Sequence, residues 1–447
     1  MSNRLRLFTA IAIAALLAPA LAHAADFDVN AATDAYLATV SGAAKAKSDA
    51  YFEGGYWLIL WDALVSIGVA LLLLFTRASA GMRNLAERWA GWRFPQTFIY
   101  AALFLLVSTI LSFPMTIYEG FYREHAYGLS NMTLQAWLLD QAKDLGIQLV
   151  FGALLVSLIY AAIRRVPRTW PVWATIISAA LLFVAVILGP VFIEPMFNTY
   201  KPMDDGPLKE SILSLARANG VPATQVFQVD ASRQSDRISA NVAGFAGTTR
   251  IALNDNLLRR ASPAEVKAVM GHEMGHFVLN HVVKSLVYLS LVAAAAFVFA
   301  NWAFGLLHGA FGGMWGVRDI SDPAGLPIFV ILFTVFGVVA TPVTNTIIRE
   351  NEAQADIFGL NAAREPDAFS TAILKLAEYR KLDPTPLEEI VFYDHPSGRS
   401  RVHMAMQWKA EHLNDLPPAP PPAAPQASPA TSEPVPQGPD PDAAPVP

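Results

Sequence analysis

The sequence predicts a mainly α, polytopic membrane protein that carries a small α+β region outside the bilayer. Of its 447 residues, 54% are hydrophobic and only 15% are charged, whereas about a quarter of residues are charged in soluble domains. The mean hydropathy of +0.37 agrees with this reading. Six internal segments are also apolar over about the 20 residues that a membrane helix needs.

The predicted spans divide the chain into apolar and polar regions. Residues 25–193 are expected to form a membrane domain with four spans, and residues 281–348 to form two further spans. The polar stretches 194–280 and 349–415 have the periodicity of helices and short strands. The six spans lie near residues 57–75, 97–118, 147–163, 171–193, 281–307 and 327–348.

Both chain ends have distinctive compositions. Residues 1–24 resemble a secretory signal peptide, because two arginines precede an apolar run and Ala22-His23-Ala24 fits a cleavage site. The alternative is an uncleaved first membrane helix. Residues 416–447 are rich in Pro and Ala and are predicted to form a disordered tail, since they cannot bury a core.

Composition excludes several classes of site and partner. The chain has no cysteine, which rules out disulfides, thiolate nucleophiles and Cys-based zinc sites. Its net charge of −5 offers no basic field, so we expect no nucleic-acid partner.

The stretch 268-AVMGHEMGHFVLNH-281 contains two histidines four residues apart, with a glutamate after the first. A capping box at Ser262 predicts a helix here, and residues four apart lie on one face of a helix. His272 and His276 can therefore bind one zinc ion, and Glu273 can act as the general base for a metal-activated water. His281 lies off this face and is interpreted as structural.

A catalytic zinc site needs a third protein ligand and an open position. The segment 350-ENEAQAD-356 offers Glu352 and Asp356 on one helical face. We assign Glu352 as the third ligand of a single zinc ion per chain. Asp356 is then expected to accept a hydrogen bond from a zinc-bound histidine and so to fix its orientation.

HEMGH followed about 75 residues later by E-x-x-A-D resembles the membrane zinc metalloproteases of the CAAX prenyl protease type 1 family, including bacterial relatives. The likeness extends to 225-QVFQVDASRQSDRISANVAGF-245, 249-TRIALNDNLL-258 and 395-HPSGRSR-401, and covers most of residues 45–405. It implies a gluzincin-like α+β zinc protease core among membrane helices, with Glu273 as general base.

The resemblance also implies roles for residues outside the zinc motif. The family has an Asn-Ala-x-x-x-Gly substrate strand, which aligns here with Ser239, Ala240 and Gly244. Serine replaces the asparagine, and Asn241 lies two residues on. The resemblance implies that Ser239, Ala240, Asn241 and Gly244 bind the backbone of a substrate peptide. His395 belongs to the family's His-Pro motif, and is expected either to bind the oxyanion of the reaction or to serve packing.

Arginine counts suggest an orientation in the membrane. The predicted connections 77–93 and 164–168 are arginine-rich, whereas the 119–146 connection is not. Positive connections stay in the cytoplasm, which turns both polar stretches outward. The expected location is a bacterial inner membrane with the catalytic face toward the periplasm.

The resulting hypothesis is a zinc-dependent integral membrane endopeptidase that acts on peptide or protein substrates at the lipid bilayer, such as envelope proteins in quality control. One alternative is a CAAX-type prenyl protease. Another is a non-catalytic membrane protein with a structural zinc, although such sites are closed by four protein ligands and are usually rich in Cys.

Overall fold

The computed structural model describes residues 27–244 and 249–416, and helices dominate the part it describes. The predicted signal segment 1–24 and the tail 416–447, apart from its first residue, lie outside the described residues. The chain divides after Glu411 into two units. The described residues of the second unit, 412–416, contain a short 3-10 helix, Leu413–Asp415.

The N-terminal part of the chain is a set of long apolar helices. A short helix precedes them, and an amphipathic helix follows the first. Three of the long helices contain a π-helical turn, at Tyr118–Arg123, Gln148–Gly152 and Gly189–Ile193. The elements are α1 Val29–Ala38, α2 Gly42–Phe75, α3 Ala78–Trp89, α4 Arg93–Ala126, α5 Leu134–Arg165 and α6 Trp170–Phe197.

A small sheet and three helices follow, outside the candidate spans. The short strands expected in the polar stretch 194–280 are present. The elements are β1 Tyr200–Pro202, α7 Pro207–Ala218, β2 Val226–Val229, β3 Ala240–Ala243, β4 Arg250–Asn254, α8 Asp255–Arg260 and α9 Pro263–Val278.

Two long apolar helices and three short ones complete the described chain. Asn280 separates α9 from the next helix, with a left-handed φ of 56°. The remaining elements are α10 His281–Trp315, α11 Leu326–Ala363, α12 Pro366–Lys375, α13 Pro386–Phe392 and α14 Gly398–Glu411.

Six helices of the described chain are long and apolar enough to cross a membrane, which confirms the predicted fold class. They exceed the predicted spans because their polar ends continue as helix beyond the apolar centre. The predicted boundary at residue 348 does not coincide with a break, since α11 runs unbroken through it. One helix therefore carries both the sixth span and the segment that contains Glu352.

Contacts between the connecting segments show which ends of the spans lie together. Arg77 donates to the Met314 carbonyl at 2.9 Å, and Arg164 donates to the Ser321 carbonyl at 3.1 Å. The segments after α2, α5 and α10 therefore meet at one end of the bundle, which we call the distal end. Because α10 begins and α11 ends beside the HEMGH motif, that motif lies at the opposite end.

The sheet has the strand order β1-β2-β4-β3. Its central pair, β2 and β4, is parallel, and the outer strands β1 and β3 each pair antiparallel with one of them. β3 is thus an edge strand, with one side free of pairing within the sheet. This matters for function because β3 is the strand in which the sequence predicts substrate binding.

Helix α9 is buried between the sheet and α11. Its apolar residues Val266, Met270 and Met274 pack with Ile251 and Leu253 of β4 in one buried cluster. The opposite face of α9 meets α11 at positions where side chains are missing. A Cβ atom on Gly359 would lie 2.7 Å from the His272 backbone nitrogen, and one on Gly275 would lie 3.0 Å from the Ala355 Cα.

Replacing Gly359 by alanine is expected to force α9 and α11 apart, because the added methyl group meets backbone that cannot rotate away. Overpacking of this kind costs about 1–3 kcal/mol. The prediction is a lower midpoint of thermal unfolding and less bound metal per purified chain. Gly337→Ala, in the same helix with nothing within 4 Å of the new methyl group, is the control and should leave both values unchanged. Equal behaviour of the two variants would contradict the proposed close contact.

Candidate metal centre

The HEMGH helix starts at a fixed residue. Ser262 accepts a hydrogen bond from the Glu265 backbone nitrogen at 3.3 Å, and the Glu265 side chain accepts one from the Ser262 nitrogen at 2.6 Å. This is the predicted capping box. Lys375 of α12 also donates to the buried Glu265 carboxylate at 2.6 Å, which ties the start of α9 to a neighbouring helix.

The two histidines of α9 and Glu352 of α11 come together as one group. The Nε2 atoms of His272 and His276 are 3.1 Å apart. The Glu352 carboxylate lies 3.3 Å from His272 Nε2 and 3.4 Å from His276 Nε2. A tetrahedral zinc site, with ligand distances of about 2.0–2.1 Å, separates its ligand atoms by about 3.3–3.4 Å. The three side chains therefore fit the ligand spacing of such a site.

The Glu352 carboxylate supports the same conclusion. Its Oε2 atom is buried and makes no hydrogen bond among the described residues. Leaving a buried carboxylate oxygen unsatisfied is costly unless a cation completes its environment. Burial disfavours charge on the His272 ring, yet the carboxylate of Asp356, which is hydrogen-bonded to the ring, and the adjacent carboxylate of Glu352 raise its pKa to about 10. The surroundings thus favour positive charge at this point.

Asp356 orients His272 and is itself held by an arginine. Its Oδ1 atom lies 2.7 Å from His272 Nδ1. Arg401 of α14 donates to both carboxylate oxygens, with Nε 2.8 Å from Oδ2. Asp356 is fully buried and Arg401 is 5% exposed. This contact leaves His272 Nε2 directed at the metal-ligand group, which is the geometry that the expected role of Asp356 requires.

His281 has a contact that the sequence analysis did not foresee. It was interpreted as lying off the ligand face, but the chain turns at Asn280, and this turn brings His281 Nδ1 to 3.0 Å from His276 Nδ1. His281 Nε2 in turn lies 3.3 Å from the Gln354 side-chain oxygen. His281 therefore contacts the Nδ1 atom of His276, just as Asp356 contacts the Nδ1 atom of His272. The spacing of five residues gave no helical-face signal for this contact, because two helices are involved.

Glu273 projects from α9 into a cavity of about 270 Å³. Burial raises the pKa of its carboxyl group, an effect that the nearby histidines partly oppose. Phe369, Ile373 and Leu376 form an apolar wall of the same cavity. The cavity therefore combines a buried acid–base group with space for an apolar side chain.

His395 lies beside the group but is not a member of it. Its Nε2 atom is 3.2 Å from Glu352 Oε2, and its Nδ1 atom is 2.8 Å from the Asp394 carboxylate. It also lines the cavity with Glu273. In the described part of the chain, the candidate metal-ligand group has three members, His272, His276 and Glu352. A site with three protein ligands keeps a position open for water or substrate.

Strand β3 runs along this cavity, which Ser239 and Ala240 line. Asn254 donates its backbone N–H to the Ser239 carbonyl at 3.0 Å. Because bonding alternates along an antiparallel ladder, Asn241 also bonds inward, and the N–H and C=O of Ala240 and Val242 point to the free edge. Gly244 ends the strand with a φ of 127°, which favours glycine.

The predicted substrate residues differ in their surroundings. Ser239 and Asn241 lie on the same face of β3 because side chains alternate along a strand. Ser239 reaches the cavity, while the Asn241 side-chain oxygen is buried without a hydrogen bond among the residues that the structure describes. Asn241 therefore does not substitute directly for a side chain at position 239.

Comparison with known proteins agrees with this geometry. Residues 202–409 match the model of peptidase family M48, and residues 31–199 match the model of the CAAX prenyl protease N-terminal domain, described as five membrane helices. The two matches cover the membrane domain and both segments of the metal centre. The chain belongs to peptidase family M48. It is a membrane metalloendopeptidase, and its resemblance to CAAX prenyl proteases of type 1 is confirmed.

Relatives of this M48 protein occur in bacteria and eukaryotes. The uncharacterized metalloprotease YhfN of Bacillus subtilis is 28% identical over 76% of this chain and 82% of that protein. CAAX prenyl protease 1 of Saccharomyces cerevisiae is 28% identical over 69% of this chain and 71% of that protein. The crystal structure of S. mikatae Ste24p superposes with a TM-score of 0.70 at 23% identity, covering 81% of this chain and 89% of that one. That structure supports the fold of the M48 chain.

Replacing Arg401 by methionine is expected to destabilise the M48 protein strongly, because Asp356 would remain buried without its counter-charge. Losing one partner of a buried ion pair costs about 3–5 kcal/mol. Arg399→Met is the matched control on the same helix, since the ion pairs of Arg399 among the described residues, with Asp34 and Asp383, are exposed and worth about 0–1 kcal/mol each. Thermal unfolding of the purified variants measures the difference, and similar unfolding temperatures would argue against a buried, paired Arg401.

Proposed function

We propose that this protein is a zinc-dependent endopeptidase that cleaves membrane-associated or envelope proteins at the periplasmic face of a bacterial inner membrane. The observation that carries the proposal is the convergence of His272, His276 and Glu352 at tetrahedral spacing, with Glu273 beside them in a cavity. Two imidazoles and one carboxylate form a ligand set used by catalytic zinc.

Charge balance supports a divalent cation in this site. Glu273, Glu352 and Asp356 carry three negative charges, and Arg401 carries one positive charge. Histidines that bind a metal are neutral, so with His272 and His276 as ligands two negative charges within this largely buried cluster lack a side-chain counter-charge. One zinc ion per chain would neutralise them, and it would supply Lewis acidity to the scissile carbonyl and to the attacking water.

The side chains divide the remaining work. Glu273 takes a proton from the attacking water and passes it to the leaving amine. Asp356 orients His272, and His281 orients His276, in each case by a hydrogen bond at the Nδ1 atom of the oriented histidine. His395 faces the same cavity, where its ring is placed to contact the oxygen that gains charge as the carbonyl is attacked.

The free edge of β3 is the proposed binding site for the substrate backbone. An extended peptide can pair with the outward N–H and C=O groups of Ala240 and Val242, as in other proteins that bind peptides by strand addition. Ser239 and Gly244 flank these groups, and Asn241 holds β3 to β4. Because such bonds involve backbone atoms, they leave side-chain preference to the apolar wall of the cavity.

A CAAX-type prenyl protease is the second candidate function. Relatives from yeast, plants and human are named CAAX prenyl protease 1 or its homologue. For some of them, the match to this chain covers more than two thirds of the relative's length. The apolar cavity wall is also compatible with an aliphatic residue next to the scissile bond. The two candidates differ in where the catalytic face lies, because prenylated proteins are cytosolic.

Charge distribution favours the periplasmic face. The distal segments 76–93, 164–170 and 316–323 together contain eight arginines and three carboxylates. An excess of positive residues favours the cytoplasmic side, so the metal centre at the opposite end would face outward.

Glu273→Gln is expected to lower peptidase activity by a factor of about 10²–10⁴ while bound metal stays the same, because the amide cannot accept the proton of the water. Activity on a quenched fluorescent peptide and metal content by mass spectrometry are the measurements. Glu350→Gln, which alters an exposed glutamate on the Glu352 helix, is the control. Normal cleavage by the Glu273→Gln protein would refute the role of Glu273.

Val242→Pro is expected to lower kcat/KM by about tenfold, because it removes one outward N–H without breaking the β3–β4 ladder. Val242→Thr keeps that N–H and a β-branched side chain, so it should retain activity. Steady-state kinetics on the same peptide distinguish the two variants. If proline and threonine have equal effects, the substrate does not pair with this edge.

A reporter fused after Asp415 tests the orientation. Arg401 joins α14 to the metal centre, so α14 lies on the catalytic side. We expect a fused alkaline phosphatase to be active and a fused green fluorescent protein to be dark, as for a periplasmic C-terminus. The opposite pattern would favour the prenyl-protease reading, while leaving the metalloprotease chemistry unaffected.

A further inference from the structure

The distal end of the helix bundle contains a second polar pocket, far from the metal centre. It has a volume of about 250 Å³ and lies among α3, the start of α4, the end of α5 and the segment before α11. Four arginines line it: Arg83, Arg93, Arg164 and Arg318. From the start of α11 to Glu352, the helix rises by about 40 Å, so the two sites are separate.

Two of these arginines are neutralised by carboxylates. Arg83 forms a buried ion pair with Asp322 and also donates to the Gly316 carbonyl at 3.1 Å. Arg318 makes a two-pronged contact with Glu87, at 2.7 and 3.1 Å. These pairs hold α3 to the segment before α11 and form the wall of the pocket.

The other two arginines, Arg93 and Arg164, have no carboxylate partner in the described structure. The guanidinium of Arg164, which is half-buried, donates to Thr97 Oγ1 at 2.9 Å and to the Ser321 carbonyl at 3.1 Å. It also approaches the carbonyl of Arg93 at 3.5 Å, and all three acceptors are neutral. The Arg93 side chain is exposed at the same pocket. Within residues 27–244 and 249–416, neither arginine has a carboxylate within ion-pair distance.

Exposed aromatic residues indicate the depth of this pocket in the bilayer. Trp89 at the end of α3 is 64% exposed, Trp92 is 81% exposed, and Phe94 in the first turn of α4 is 41% exposed. Tryptophan is enriched at the level of the lipid headgroups, where its ring meets both acyl chain and water. Arg93 lies between Trp92 and Phe94, so its guanidinium is at headgroup depth.

We propose that Arg93 and Arg164 form a binding site for a phosphate group, supplied by the headgroup of an anionic phospholipid. Guanidinium groups bind phosphate oxygens through paired, charge-assisted hydrogen bonds. Basic pockets between membrane helices bind anionic headgroups in this way. Arg164 already bridges α4, α5 and the segment before α11, so a bound headgroup would further join these three elements.

Free phosphate has the same chemistry as the headgroup, and the experiment separates the two sources. Full-length protein in detergent is titrated with short-chain phosphatidylglycerol, with short-chain phosphatidylcholine and with inorganic phosphate, and binding is measured by calorimetry. The pocket variant is Arg93→Gln with Arg164→Gln. Its matched control is Arg165→Gln with Arg168→Gln, which removes two exposed arginines from the same end.

We expect the pocket variant to bind phosphatidylglycerol at least about tenfold more weakly than wild type, and the control to bind it normally. If inorganic phosphate binds with the same dependence on the variants, the site exists but takes its phosphate from solution. Equal weakening in both variants would overturn the proposal, because attraction would then follow net charge alone. Unchanged binding in the pocket variant would also overturn it.

The single variant Arg93→Gln tests the site without disturbing the fold, since the Arg93 side chain makes no ion pair in the described structure. Its thermal unfolding without lipid should match wild type, whereas the increase in unfolding temperature that phosphatidylglycerol gives to wild type should be smaller. An undiminished increase in this single variant would count against a role for Arg93.

Discussion

The structure depends on one close contact between two helices. Gly271 and Gly275 of α9 face Gly359 and Ala355 of α11, and no side chain separates the two backbones there. This contact brings the imidazoles of α9 to 3.3 and 3.4 Å from the Glu352 carboxylate on α11. Metal ligands from different helices can converge only if the helices approach closely, because a histidine and a glutamate side chain have limited reach. The glycines are therefore as necessary to the site as the ligands.

The same contact gathers charge in a buried place, and the surrounding residues make this tolerable. Arg401 neutralises Asp356. Asp356 contacts the Nδ1 atom of His272, and His281 contacts the Nδ1 atom of His276. A buried carboxylate without partners is costly, so a site of this kind is stable only if every member has a counter-charge or a hydrogen bond. The remaining negative charge of Glu273 and Glu352 is what makes the group suitable for a cation and for proton transfer.

The two ends of the bundle differ in their electrostatics, and a separate function is proposed for each. At one end, carboxylates and histidines form the metal centre beside the edge strand β3. At the other, arginines exceed carboxylates and surround a pocket flanked by exposed tryptophans. Helix α11 connects them directly, since it begins beside Asp322 and carries Glu352 near its far end. This polarity supports both the proposed orientation in the membrane and the proposed lipid site.

The sequence by itself determined the fold class and the chemistry of the site. Long apolar runs require membrane helices, and the spacing of four in His272 and His276 and in Glu352 and Asp356 places each pair on one helical face. Such signals are local, so they can be read along the chain. The bond between His281 and His276 could not be read in this way, because it crosses the turn at Asn280 and involves two helices. The continuity of α11 through residue 348 could not be read from the sequence either. The same holds for the carboxylate partners of Arg83 and Arg318, which leave Arg93 and Arg164 without a counter-charge. Those features depend on which segments meet in space, and only the tertiary structure decides that.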